Sequence, residues 1–135
     1  MALAAFAAAL SADGRPMAFE KLPAPAKEYI QANFPGESAS MVIKDDDLIF
    51  ADYTVMLSSG IRLEFEHSGA LTQISSPNGI PAELVPVSIR NYVQAHYPDA
   101  GYLDFEIGKR TYEVKLTNRM ELKFNNSFHI IEVDD

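Results

Sequence analysis

The stretch YIQANFPG at residues 29–36 returns as YVQAHYPD at residues 92–99, 63 positions later. A chain that repeats itself must fold as a repeat, which constrains it more than any single motif does. The match extends outward. LPAPAKEYIQANFPG (22–36) lies over VPVSIRNYVQAHYPD (85–99), so that Pro23, Tyr29, Gln31, Ala32 and Pro35 recur as Pro86, Tyr92, Gln94, Ala95 and Pro98. A second block, YTVMLSSGIRLEF (53–65), lies over YEVKLTNRMELKF (112–124), with Tyr53, Val55, Leu57, Leu63 and Phe65 matched by Tyr112, Val114, Leu116, Leu122 and Phe124. The offset falls from 63 to 59 between the blocks, so the first copy carries four extra residues. They fall around Lys44-Asp45-Asp46-Asp47, where a loop can grow without harm.

The first block predicts a helix. A proline suits its start, where a missing N–H costs nothing. Leu22, Ala26, Tyr29, Ile30 and Phe34, and then Val85, Ile89, Tyr92, Val93 and Tyr97, follow at helical spacing. Pro35 and Pro98 stop it. The second block predicts a hairpin. Tyr112, Val114 and Leu116 alternate with Glu113, Lys115 and Thr117, and after a turn Met120, Leu122 and Phe124 alternate with Glu121 and Lys123. That period of two describes an antiparallel sheet wet on one side. The first copy turns at Ser58-Ser59-Gly60 and places Arg62, Glu64 and Glu66 on the wet side. Further strands are expected at 40–44 and 102–107 before the hairpins, and at 70–74 and 128–133 after them.

The expected fold is α+β: a tandem repeat of one helix plus about four antiparallel strands, with the helices packed on one face of a curved antiparallel sheet. A unit near this size is marginal alone without disulfides, so the two copies should share an interface. SSPNG (75–79) is the expected joint, being rich in turn formers. The organisation is then an N-terminal tail at 1–18, a first repeat at 19–76 and a second at 77–135.

The 135 residues contain no cysteine, which excludes disulfides, thiolate nucleophiles and cysteine-held zinc. The formal net charge of −8 argues against nucleic acid or an anionic membrane as partner. MALAAFAAALSADGRP opens with an apolar run, Ala2 to Leu10, too short to span a membrane and of the length of a signal-peptide core. Ala9-Leu10-Ser11 supplies a small-x-small cleavage pattern, although no Lys or Arg precedes Arg15. The mature protein is therefore expected in a periplasm or outside the cell, without membrane insertion.

The pattern LP-x-x-x-K/R-x-Y-I/V-x-x-x-F/Y-P followed by Y-x-V-x-L…L-x-F, given twice after a leader, resembles the PepSY-like family of secreted Bacteroidetes proteins, also described as β-lactamase-inhibitor-like. The resemblance covers residues 19–135. It implies a fold similar to the tandem-repeat β-lactamase inhibitor protein, whose helices back a concave sheet that grips a partner, and it implies no catalytic residue. The chain departs from the family pattern at two turns: Arg119 stands at the position of Gly60, and Ser127-Phe128 at that of Ser68-Gly69.

The residues offer little reactive chemistry. His67, His96 and His129 show no metal-ligand spacing. No G-x-S-x-G, phosphate loop or dinucleotide fingerprint occurs, so neither catalytic residues nor cofactors are expected. Asp45-Asp46-Asp47 reads as a solvated turn. Calcium at Asp45 and Asp47 is the alternative, against which the loop lacks the glycine of an EF-hand. The remaining candidate is the mixed-charge sheet face, Arg62, Glu64, Glu66, Glu113, Lys115, Glu121 and Lys123, on which a rigid backbone would hold side chains in register for a protein or peptide partner. A small envelope hydrolase and a purely structural envelope protein are the competing readings.

Overall fold

A computed structural model describes residues 14–46 and 51–135. The leader segment and Asp47 lie outside that range. The described chain is α+β, with two ten-residue helices, α1 (Ala24–Asn33) and α2 (Val87–His96). Nine strands follow one another in the sheet in chain order: β1 (Gly14–Pro16), β2 (Ala39–Asp46), β3 (Ala51–Leu57), β4 (Arg62–Phe65), β5 (Leu71–Ile80), β6 (Tyr102–Ile107), β7 (Thr111–Leu116), β8 (Glu121–Asn125) and β9 (Ile130–Asp134). The described pairings are antiparallel. The chain divides into two compact units, Met1–Thr72 and Gln73–Asp135.

In each unit the helix covers the greasy side of a hairpin. The first buries Leu22, Ala26, Ile30 and Phe34 with Val55, Leu57, Leu63 and Phe65, and the second buries Val85, Ile89 and Val93 with Val114, Leu116, Leu122 and Phe124. Tyr29 meets Phe65 edge-on at 6.1 Å between ring centroids, and Tyr92 meets Phe124 in the same way at 5.4 Å. The helices start and stop alike. Pro23 and Pro86 sit just ahead of them in extended conformation, each carbonyl accepting the first helical N–H bonds. Phe34 and Tyr97 leave helical geometry immediately before the prolines that exclude it.

Asp45 and Asp46 belong to β2, which corrects the turn expected there, while Asp47 lies outside the described residues. Lys44 opposes Tyr53 just as Ile107 opposes Tyr112. Beyond that shared point the first copy adds the pairs Asp45↔Asp52 and Asp46↔Ala51. β1 then lies along the lengthened β2, with Gly14 opposite Asp45 and Pro16 opposite Ile43. A second correction concerns SSPNG. Residues 75–79 belong to β5, whose register slips between Ser75 and Ile80. A bulge absorbs the turn formers: Gly79 takes φ +101, and the Ser76 hydroxyl accepts the Asn78 N–H at 3.2 Å.

The two departures from the family pattern keep the turn shape and lose the residue that makes it cheap. Gly60 and Gly69 have φ of +95 and +91, and their counterparts Arg119 and Phe128 have +75 and +65. The closing bonds match as well. Gly60 N–H donates to Leu57 and Arg119 N–H to Leu116, while Gly69 N–H donates to Glu66 and Phe128 N–H to Asn125. Left-handed backbone at a side-chain-bearing residue costs about 1 kcal/mol or more. Phe128 gains an offsetting contact by stacking on Tyr112, 5.0 Å away.

Two stability tests follow from this packing. Arg119→Gly should raise the unfolding free energy in urea by about 1 kcal/mol. Phe128→Gly should lower it, because the stacked ring and its burial are worth more than the relieved torsion. The second test is alkaline. Burial pushes the Tyr29 hydroxyl from 10.0 up to about 12. Below the lower value both folded and unfolded chains are neutral there. Between the two the unfolded chain ionises first, so stability held at neutral pH is lost as pH rises through that window. In Tyr29→Phe, the fall of the urea midpoint with rising pH should be shallower than in the parent chain.

Candidate functional site

Directly paired residues on neighbouring strands project from the same side of a sheet. In the second unit this places Gln73, Glu106, Glu113, Lys123 and Glu132 in one row across β5 to β9. Ser75, Asp104, Lys115, Glu121 and Asp134 form a second row. The opposite side carries Phe105, Val114, Leu122 and Phe124, all buried. Glu113, Lys115, Glu121 and Lys123, singled out from the sequence, thus lie together on the water side.

They have company that the sequence reading left out. Asp104 and Glu106 alternate with Phe105 and Ile107 in β6, a period of two that was available in the sequence. Glu132 and Asp134 extend the rows onto β9. The face holds six carboxylates (Asp104, Glu106, Glu113, Glu121, Glu132 and Asp134) against Lys115 and Lys123. Lys115 stands between Asp104 and Glu121, and Lys123 between Glu113 and Glu132, its Nζ 3.7 Å from Glu132 Oε1. Glu106 directly opposes Glu113. Gln73 Nε2 donates to both Asp104 oxygens, at 3.1 and 2.9 Å. A shallow depression of about 200 Å³ is lined by Asp104, Glu106, Glu113, Val114, Lys115 and Glu121.

The corresponding side of the first unit is less ionic than its hairpin implies. Met41, Met56 and Arg62 share one row, and Ile43, Thr54 and Glu64 the next. Met41 is 44% exposed and Ile43 only 6%. The charged pattern of β4 is real, but β2 brings apolar side chains to the same side. Arg62 Nη1 lies 3.2 Å from Glu64 Oε2. Glu66 falls in the turn after β4, where its Oε1 accepts the Ser68 hydroxyl at 2.7 Å. Asp45 is exposed near the end of β2 and opposes Asp52.

The histidines do not gather. His96 stacks on Tyr92 at 4.0 Å, with Nδ1 2.9 Å from the Tyr92 carbonyl oxygen, while His67 and His129 are exposed. Among the described residues no group of three or more histidine and carboxylate side chains is placed to hold a metal ion. Among them, too, no helix is long and apolar enough to cross a membrane.

The sequence profile described as "Putative beta-lactamase-inhibitor-like, PepSY-like" matches twice, over residues 11–73 and 51–132. No curated protein matches in sequence. Three solved structures from Bacteroides are similar throughout. A periplasmic protein of the DUF2874 family from Bacteroides vulgatus is 34% identical over 93% of this chain and 99% of its own, with a TM-score of 0.84. A protein from Bacteroides thetaiotaomicron described as a "putative calcium-regulated periplasmic protein" is 31% identical over 91% of this chain and 98% of its own, with a TM-score of 0.86. A periplasmic protein of unknown function from Bacteroides vulgatus is 27% identical over 90% of this chain and 99% of its own, with a TM-score of 0.83.

Proposed function

The chain belongs to the PepSY-like family, and from that premise we propose that it is a periplasmic, non-catalytic binding module engaging a protein or peptide partner through the charged side of its sheet. The observation that carries this reading is the face of the second unit. Its two cross-strand rows present an excess of carboxylates in fixed register over a shallow depression. The strands fix the backbone positions from which these side chains project. The chemistry that complements them is a basic protein surface or peptide, drawn in by the negative field and kept in place by lysine or arginine set between the rows. The inhibitor-like description of the family and the periplasmic description of its solved members fit a partner met in the envelope.

A hydrolase would need an acid or base held out of water beside its substrate. The carboxylates here line an open face instead, so the enzymatic reading has less to stand on than the binding one. A purely structural role predicts that the face can be altered freely. Glu113→Lys combined with Glu121→Lys should reduce partner capture from an envelope extract by about tenfold, with the melting temperature nearly unchanged. Lys115→Glu combined with Lys123→Glu, which makes the face more acidic, should leave capture intact or raise it. Capture that ignores the first pair of changes removes the face as the binding surface.

A second reading, calcium binding at Asp45 and Asp47, is favoured by the description of the Bacteroides thetaiotaomicron relative as calcium-regulated. Asp45 and Asp52 oppose each other across β2 and β3, and carboxylate oxygens are the ligands calcium takes. Calcium at tenfold its dissociation constant would stabilise the fold by about 1.4 kcal/mol, a rise of a few degrees in melting temperature. Asp45→Asn with Asp47→Asn should abolish that rise, and a melting temperature indifferent to millimolar calcium disposes of the idea.

A further inference from the structure

Among the described residues β9 ends the sheet order and pairs with β8, so one row of its backbone N–H and C=O groups has no described strand beside it. Natural sheets blunt such an edge or use it. The strand at the opposite end of the order, β1, ends in Pro16, which cannot extend a ladder. β9 is five residues long, Ile130–Asp134, and contains neither proline nor glycine. Two large apolar side chains stand in water on it, Ile131 at 53% and Val133 at 49% exposure.

Its two sides differ in chemistry. Val133 opposes Leu122 and Ile130 opposes Phe124, so these lie on the side of the apolar core, where Val133 stays half in water at the rim. Glu132 opposes Lys123 and Asp134 opposes Glu121, so these lie on the charged side and end its two rows. Ile131 is the extra residue where the register slips between Lys123 and Phe124.

We infer that β9 is a docking edge for an extended segment of another polypeptide in which apolar and basic residues alternate, added to the sheet as a tenth strand. Backbone pairing would satisfy the open row of β9. The apolar residues of the guest would cover Val133 and the core rim, and its lysines or arginines would lie beside Glu132 and Asp134. A second copy of this chain is the wrong guest. Antiparallel pairing of β9 with itself keeps like sides together, so Glu132 and Asp134 of one copy would meet the same carboxylates of the other, which is destabilising. The charges that repel a copy select a basic strand. The inference concerns the backbone edge of β9, which shares Glu132 and Asp134 with the charged face, and changes at Glu113 and Glu121 on β7 and β8 tell the two surfaces apart.

The test uses the isotope-labelled chain and a soluble, end-capped hexapeptide of alternating lysine and valine. A lysine–proline hexapeptide of equal charge is the control, since proline cannot extend a ladder. Saturable amide shifts and slowed hydrogen exchange are expected within residues 130–135 with the valine peptide, and no slowing there with the proline peptide. Glu132→Lys combined with Asp134→Lys should weaken binding of the valine peptide by about three- to tenfold and admit a glutamate–valine peptide in its place. Glu113→Lys with Glu121→Lys should leave the protection of β9 in place. Equal effects of the valine and proline peptides, protection confined to β6 and β7, or sedimentation as a dimer whose copies join at β9 would each overturn the inference.

Discussion

Everything in each unit depends on one helix covering one hairpin. The edge-on contacts of Tyr29 with Phe65 and of Tyr92 with Phe124 mark where that cover is seated. A ten-residue helix has little stability of its own in water and exists because its apolar stripe is buried. The hairpin likewise needs its greasy side covered. Mutual burial makes both elements real, and it fixes the register, since a slip of one residue would turn every inward side chain outward. The charged side follows from the same constraint. Once Val114, Leu122 and Phe124 are committed inward, Glu113, Lys123 and Glu121 have only water to face.

That dependence explains why so much of the fold was legible in the sequence. Helix and hairpin each impose a period, the periods occur twice, and the chain departs from its own pattern where four residues were inserted. Tyr53 and Tyr112 hold equivalent places opposite Lys44 and Ile107. The failures are of one kind. Ser75 to Gly79 read as a joint because local propensity favours turns, yet strand pairing on β6 overrides it and absorbs the misfit as a bulge. Asp45 and Asp46 read as loop for the same reason, although β3 offered them partners. Local signals describe what a segment prefers alone. They say little about what a neighbouring strand can impose.

The candidate face was half legible. Alternation within β7 and β8 gave its charged residues directly. Which strands lie beside them depends on pairing, and pairing supplied Asp104, Glu106, Glu132 and Asp134. It also placed Met41 and Ile43 next to the charges of the first unit, a mixture no single hairpin reveals. The result shifts the chemistry of the face from balanced to predominantly acidic in the second unit, and with it the kind of partner worth seeking.

The left-handed turns at Arg119 and Phe128 bear on how such repeats diverge. What the two copies share at these turns is a set of torsion angles enforced by the ladders on either side, met with glycine in the first copy and without it in the second. Kinship between two copies can therefore persist in backbone shape where the punctuation marks of their sequences differ.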